Sequence, residues 1–324
     1  MKIYVAEEYR AHSKIELISN KVGLYQEPIT EKLFTEVKTL ETSDAVLVPH
    51  DAYYFSKYPE YLKYLNTIAG SRLIIYSDRG DFPKKPKIIN SVALRVAINP
   101  GESRLRKIII PYNIESLSFL PYKKLEPELT ISFVGFTPKI SLGRVRHALL
   151  QSPLHPIKGN GAAVRRLMHR TIRKADISYN SVIRHSYGAL DVGQADLNIN
   201  REVYLNAISE SDLVACPRGD ANQSARFYET LSAGRIPCIP DSLMGFPNVN
   251  EIDLNTMLIR FPFRHKSLEF LVAEYFRSIR TQSEYNAVQR GLREFFHTNL
   301  RFEPTTKKIF DSDKNTFMKI ANFH

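Results

Sequence analysis

The densest set of residues able to do chemistry in the 324-residue chain lies between Ser211 and Pro240. It reads Ser-Asp-Leu-Val-Ala-Cys-Pro-Arg-Gly-Asp-Ala-Asn-Gln-Ser-Ala-Arg-Phe-Tyr-Glu-Thr-Leu-Ser-Ala-Gly-Arg-Ile-Pro-Cys-Ile-Pro. The pattern predicts a strand over Asp212–Cys216, a loop carrying Arg218 and Gly219, a helix over 223–233 opened by Gln223 and Ser224, and a second strand over Arg235–Ile239. The start of such a helix turns free N–H groups and a positive dipole end toward the carboxyl edge of the sheet, which suits an anion. Arg226, in the first turn, can fork onto phosphate oxygens. Glu229, three residues on and on the same helical face, is acceptor-only when ionised and suits the two hydroxyls of a ribose. A solvated surface pair is the plainer reading of an Arg and a Glu so spaced. Against it stands placement, because an arginine in a first helical turn opposes the dipole and costs stability without another role.

The elements around this segment repeat one theme. Lys2–Ala6, Asp44–Val48 (closed by Pro49) and Arg72–Tyr76 read as strands, with helices predicted over Glu27–Lys38 and Lys57–Ala69 between them. Strand and helix in alternation predict a doubly wound α/β domain with a parallel sheet. A polar stretch over 111–128, punctuated by Pro111, Pro121 and Pro127, reads as a linker. A second α/β run follows from Thr130–Gly135 through a helix at Leu142–Gln151, a poorly patterned region over 155–200 and a helix at Arg201–Glu210, into the segment above. The tail is helical in pattern, with a strong stripe through Leu268, Leu271, Val272, Tyr275 and Phe276 and a weaker one over Phe310–Phe323. The expected division is 1–125, 126–300 and a helical tail over 301–324, the first two being Rossmann-like domains facing a cleft where a ligand binds by default.

Composition narrows the classes. Hydrophobic residues at 43% and charged ones at 24% exclude a disordered or low-complexity chain. No apolar run reaches the roughly 18 residues of a membrane span, and Glu7 and Glu8 interrupt any leader-like stretch, so a cytoplasmic location is expected. Cys216 and Cys238 sit in apolar runs without the spacing of a zinc site, which reads as core packing. A net charge of +11 favours an anionic partner: nucleic acid, a lipid headgroup or a phosphorylated small molecule. Nucleic acid fits worst, since the 17 tyrosines and 18 phenylalanines are not grouped with basic residues as a stacking platform would be.

With these residues in place, the segment resembles the exostosin-like glycosyltransferases, glycosyltransferase family 47. Their pattern of Cys-Pro-Arg-Gly, a short loop and then Arg-Phe-x-Glu-x-Leu-x-x-Gly-x-Ile-Pro is similar to Cys216–Gly219 and Arg226–Pro237. Phe133-Val-Gly135 with Arg144 downstream looks like the family's Phe-x-Gly and following arginine, and Ala45–Pro49 and Lys107–Pro111 look like two of its strands. The likeness is sharp over about 30 residues and loose elsewhere. It implies an α/β, GT-B architecture, an inverting and metal-independent transfer from a nucleoside-diphosphate sugar to a saccharide or glycolipid acceptor, and no cofactor. It implies donor contacts at Arg218, Gly219, Arg226 and Glu229, with Ser224 at the same helix start and Gly135 and Arg144 on the facing loop. Surface polysaccharide or lipopolysaccharide synthesis on the inner face of an anionic membrane fits the basic charge, with the protein peripheral to the membrane. The chain departs from animal members in having no transmembrane anchor and no cysteine set, which suggests a stand-alone, bacterial type.

An inverting transfer needs a base for the acceptor hydroxyl. His50 and Asp51 after one strand, and Asp78 and Asp81 after another, are the candidates, and each has a turn or cap role as its plainer reading. Asp311-Ser-Asp313 spells a metal-binding D-x-D, but its position in the helical tail predicts capping. Arg165, Arg166, Arg170, Arg173 and Lys174, with His169 among them, read as a solvated helix face before a site for an anionic acceptor or lipid. Two other functions remain open on sequence: a GT-B fucosyltransferase-like enzyme using a GDP-sugar, and a non-catalytic basic module binding polysaccharide or nucleic acid.

Overall fold

Short apolar runs separated by helices build two all-parallel sheets, as seen in a computed structural model that describes residues 1–5, 33–52, 59–78, 87–99, 102–184, 194–219, 221–247 and 251–321. The first sheet contains β1 (Lys2–Val5), β2 (Thr35–Val37), β3 (Ala45–Asp51), β4 (Leu73–Asp78), β5 (Ser91–Arg95) and β6 (Lys107–Ile109), in the order β2-β1-β3-β4-β5-β6. Helix α1 (Pro59–Ala69) crosses from β3 to β4 and packs Tyr61, Leu65 and Ile68 against Val46, Val48 and Ile74. Both faces of a parallel sheet are covered, which is why β4 and β5 are buried at every residue.

The second sheet is built from β7 (Thr130–Phe136), β8 (Ser178–Arg184), β9 (Leu213–Ala215), β10 (Ile236–Pro240) and β11 (Ile259–Phe261), ordered β11-β10-β9-β7-β8. Its connections carry α2 (Leu142–Gln151), α3 (Gly161–Arg173), α4 (Gln194–Ser209), α5 (Ala225–Ser232) and α6 (Glu251–Thr256), and α7 (His265–Phe276) and α8 (Gln282–Phe295) follow β11. A π-helical turn, Phe296–Leu300, then leads to α9 (Phe302–Asp311) and α10 (Lys314–Ile320). Among the described residues no helix is long and apolar enough to cross a membrane.

The chain divides into two units, Met1–Ile114 with Gly245–Asn248 and Thr298–His324, and Glu115–Met244 with Val249–His297. In the first unit the last helices return to the N-terminal sheet: the Met1 ammonium donates to the Phe310 carbonyl at 2.9 Å, and the Phe34 and Phe310 rings lie 5.3 Å apart. In the second unit the proline-punctuated stretch is tied down. Leu117 N–H donates to Ser232 Oγ at 2.9 Å, and Arg293 donates to the carbonyls of Ser118 and Leu120 at 2.9 and 2.6 Å. Arg235 donates to the Pro121 carbonyl at 2.9 Å, and Lys123 N–H to Gln289 Oε1 at 2.8 Å.

The elements differ from expectation at several points. Thr35–Val37, expected as the end of a helix, is an edge strand paired in parallel with β1; alternate β-branched residues suit a pleat once a partner strand is present. β3 does not stop at Pro49 but runs to Asp51, with a register shift against β4 between Val48 and Asp51 that takes up the missing N–H. The stripe over Phe310–Phe323 is broken at Ser312, because Asp313 caps α10 by accepting from Asn315 N–H at 2.9 Å and Thr316 N–H at 3.0 Å. Asp311 is ion-paired with Lys307 at 2.7 Å, so the D-x-D letters are structural, as expected. Both cysteines are buried, and burial pushes the Cys216 thiol up to about 12.

Helix α5 ends at Gly234, whose φ of +71° lies in the left-handed region and where a Cβ would fall 2.8 Å from the Gln289 carbonyl. Gly234→Ala is expected to destabilise the protein by about 2 kcal/mol, read as a lower midpoint in urea unfolding followed by circular dichroism.

Candidate functional site

The carboxyl edge of the second sheet gathers arginines. β7 and β8 run in register so that Phe136 pairs with Arg184 at their ends, and the loop after β9 delivers α5 to the same edge. From the first turn of α5, Arg226 Nη2 donates to the Val134 carbonyl at 2.6 Å, and its guanidinium lies 4.8 Å from the Phe133 ring and 5.8 Å from the Tyr204 ring. A cation on two aromatic faces is held in direction as well as place. The strand leaves room for it at Gly135, where a Cβ would stand 2.8 Å from Arg226 Nη2. Gly135, read from sequence as a loop residue facing the donor, is therefore the floor under Arg226.

Arg226 is half-buried, and its Nε is enclosed with no hydrogen-bond partner among the described residues. Arg184 repeats the situation. Its Nη2 donates to the Asn200 carbonyl at 2.5 Å while its Nε is enclosed and has no partner among the described residues. Desolvation first, and then the charge of Arg226, lower its pKa. Arg226 disfavours the charge of Arg184, and an anion beside both relieves this.

Glu229 does not pair with Arg226. Its Oε2 accepts from the Tyr204 hydroxyl, and its Oε1 lies 3.4 Å from Arg201 Nη1, while Arg201 Nη2 is 2.8 Å from Glu115. Tyr204 is buried, and desolvation and then the Glu229 charge raise its pKa well above the usual phenol value, so it remains a donor. Glu229 has 18% of its side chain exposed and keeps lone pairs beyond these two contacts.

Helix α3 supplies the remaining wall. Arg165 donates through Nη1 to the Phe136 carbonyl and through Nε to the Arg218 carbonyl at 3.3 Å, clamping β7 to the loop after β9. Arg166, Arg170, Arg173 and Lys174 are exposed, as a solvated face should be. His169 is buried between them: Nε2 meets Thr137 Oγ1 at 3.0 Å, Nδ1 meets the Tyr179 hydroxyl at 2.6 Å, and the ring stands edge-on to Phe133 with centroids 4.9 Å apart. Burial, then Arg173 and Arg165, hold its pKa down to about 4, so the ring is neutral near pH 7.

The other expected donor residues have different surroundings. Arg218 is fully buried and donates to the Lys158 carbonyl at 3.1 Å and the Gly219 carbonyl at 3.3 Å, so it braces the loop from within. Gly219 N–H donates to the Gln223 carbonyl at 3.1 Å and turns that loop. Ser224 is the N-cap of α5, but its side chain makes no capping bond. Arg144 is half-buried in the first turn of α2, whose N-cap Ser141 accepts from the Arg144 N–H at 3.3 Å.

Of the candidate bases, His50 and Asp51 close the backbone of β3 at its carboxyl end, their side chains lying outside the described part, and Asp81 lies outside the described residues. Asp78 is buried and 3.4 Å from Arg95 Nε, a charge already matched. Sequence reading missed Arg184, Arg201 and Tyr204. For the last two the signal was present, an Arg and a Tyr three apart on a predicted helix; for Arg184 there was none.

A separate cavity of about 470 Å³ opens at the opposite, amino edge of the sheet, between Leu129 and Ser178 at the strand starts and Glu269 and Val272 of α7. It shares no lining residue with the arginine cluster.

No family model matches the chain, and no curated protein matches it. Among solved structures it is similar to the catalytic domain of starch synthase IV from Arabidopsis thaliana, with 10% identity, 86% of this chain and 73% of that one covered, and a TM-score of 0.42. It is also similar to Alr3699/HepE from Anabaena in complex with UDP, with 11% identity, coverage of 95% and 98% and a TM-score of 0.40. A glycosyltransferase from Rickettsia africae gives 9% identity, coverage of 98% of both chains and a TM-score of 0.38. Likeness at this level carries no argument about chemistry, and the two-sheet α/β architecture rests on the strand pairing itself.

Two outcomes follow from the geometry. In a double-mutant cycle read by thermal unfolding, Gly135→Ala costs about 1 kcal/mol or more with Arg226 present and distinctly less in an Arg226→Ala background, because the added methyl displaces the guanidinium. For His169, a folded pKa of about 4 against the ordinary 6.5 means that the unfolded chain takes up the proton first. Stability is then full above about pH 6.5 and is lost as pH falls toward 4, and His169→Gln flattens that part of the stability profile.

Proposed function

We propose that the chain is a GT-B glycosyltransferase that moves a sugar from a nucleoside-diphosphate donor to a saccharide or glycolipid acceptor, with inversion and without a catalytic metal, in surface polysaccharide or lipopolysaccharide synthesis. One observation carries the reading. Arg226 and Arg184 crowd the carboxyl edge of a parallel sheet, the charge of the first disfavouring that of the second, beside a helix start that its own N-cap side chain leaves uncapped. Ligands of open α/β sheets bind at that edge, and a diphosphate can accept from guanidinium N–H groups gathered there. The exostosin-like spacing of Arg226 and Glu229 supports the same reading from the sequence.

In this proposal the diphosphate accepts hydrogen bonds from Arg226 and Arg184, and Glu229, oriented by Tyr204 and Arg201, accepts from the ribose hydroxyls. Arg218, Gly219 and Arg165 hold the loop shape, and Arg144 stands at the neighbouring helix start. The acceptor oxygen attacks the anomeric carbon as the bond to the diphosphate breaks. The leaving group's growing negative charge meets cations already in place, so little reorganisation accompanies transfer. The acceptor's proton passes to a base drawn from His50, Asp51 and Asp81.

The test begins with calorimetric binding of UDP, GDP and inorganic pyrophosphate and a hydrolysis screen over a panel of nucleotide sugars. Arg226→Ala should weaken every one of these ligands by about tenfold or more, whereas Glu229→Gln should weaken the nucleotides and spare pyrophosphate. Nucleotide affinity unchanged by Arg226→Ala, together with DNA binding at physiological salt, overturns the proposal in favour of a basic binding module.

A further inference from the structure

Helix α2 is built inside out. Its apolar positions Leu142, Val145, Leu149 and Leu150 recur at the spacing that makes one helical stripe, yet that stripe faces solvent. Leu142 is 85% exposed and Leu150 61%, while the opposite side buries Ala148. The following loop continues the pattern with Leu154 at 78% and Ile157 at 59%, and Ile140 precedes the helix at 47%. Isolated exposed leucines are ordinary, but this many in one stretch of helix and loop form an apolar surface of the kind that meets another apolar phase.

The charge around that surface identifies the phase. From Thr130 to Ala175 the sequence contains no Asp or Glu and nine Lys or Arg residues, of which Lys158, beside Ile157, is paired with Asp241 at 2.7 Å. Lys139 and Arg146 are exposed beside the leucines, Arg146 within the stripe itself, one turn after Leu142. Exposed leucines with cations beside them and no carboxylate in this stretch of sequence are complementary to a surface that is both apolar and negatively charged. We propose that α2 and the loop to Ile157 form a membrane-docking face that lies in the interface of an anionic phospholipid bilayer, with the leucines among the acyl chains and Lys139 and Arg146 at the headgroups. Lysine and arginine stems are long enough to keep their charge at that level while the helix settles.

Vesicle binding requires neither donor nor acceptor, so its outcome is independent of the proposed activity. The experiment is co-sedimentation of the whole chain with vesicles of phosphatidylcholine alone and of phosphatidylcholine mixed with phosphatidylglycerol. Binding is expected to the mixed vesicles, reduced by high salt. The combined substitution L142Q/L149Q/L154Q, at exposed positions, should lower the partition coefficient about tenfold or more with an unchanged thermal midpoint. K139Q/R146Q should lower it by about fivefold per charge on anionic vesicles and leave the neutral ones unaffected. Equal binding by the wild type and the leucine variant, or no binding to anionic vesicles, overturns the inference. So does self-association that the leucine variant abolishes, which would make the face an interface between copies of the chain.

Discussion

The hydrogen bond from Arg226 to the Val134 carbonyl over Gly135 is the constraint on which the second unit's site depends. It fixes a cation from one helix onto a strand far away in sequence, and it needs a residue without a side chain on that strand. The first turn of α5 is an unfavourable place for a positive charge. The Phe133 and Tyr204 rings and the Val134 carbonyl compensate for that position and turn the guanidinium along the strand end. Tyr204 extends the arrangement by holding Glu229 in place, so the cation and the carboxylate are positioned by one aromatic side chain between them.

Arg235 is an arginine whose donors are all satisfied within the fold. It is fully buried, and its Nε, Nη1 and Nη2 donate to Ile208, Ala233, Gln289, Pro121 and Ser209 at 2.7–3.1 Å. Even so, burial holds its pKa down to about 10. Such an arginine is complete within the fold and pins the stretch after Glu115 to the second unit. Arg226 and Arg184 are incomplete in the same environment. A buried donor left unmatched costs free energy, but Arg293 and Arg95 also leave an Nε without a hydrogen-bond partner among the described residues, so what sets Arg226 and Arg184 apart is their place at the carboxyl edge of the second sheet, where open α/β sheets bind ligands.

Two kinds of positive charge therefore coexist within Thr130–Ser232. One is turned inward at strand ends, where low dielectric makes it selective for a compact anion. The other is outside on α2 and α3, where solvent and salt weaken each charge and many are needed to act on an extended surface. The net charge of +11 does not distinguish them.

The sequence by itself determined the two parallel α/β units, since apolar runs alternating with amphipathic helices have few other ways to bury both faces of a sheet. It also placed Arg226 and Glu229 on one helix face, which follows from local periodicity. It misread Thr35–Val37, whose strand state depends on pairing with β1, and it did not single out β5, where Arg95 interrupts an apolar run and is buried with Asp78 and Glu102 matching its charge. β8 was also passed over, because a half-exposed edge strand reading Ser-Tyr-Asn-Ser-Val-Ile-Arg carries little alternation. Tertiary structure alone decided which arginines are complete and which are open. Hydrogen-bond satisfaction is a property of atoms brought together from Val134, Asn200 and Tyr204, and no local spacing encodes it.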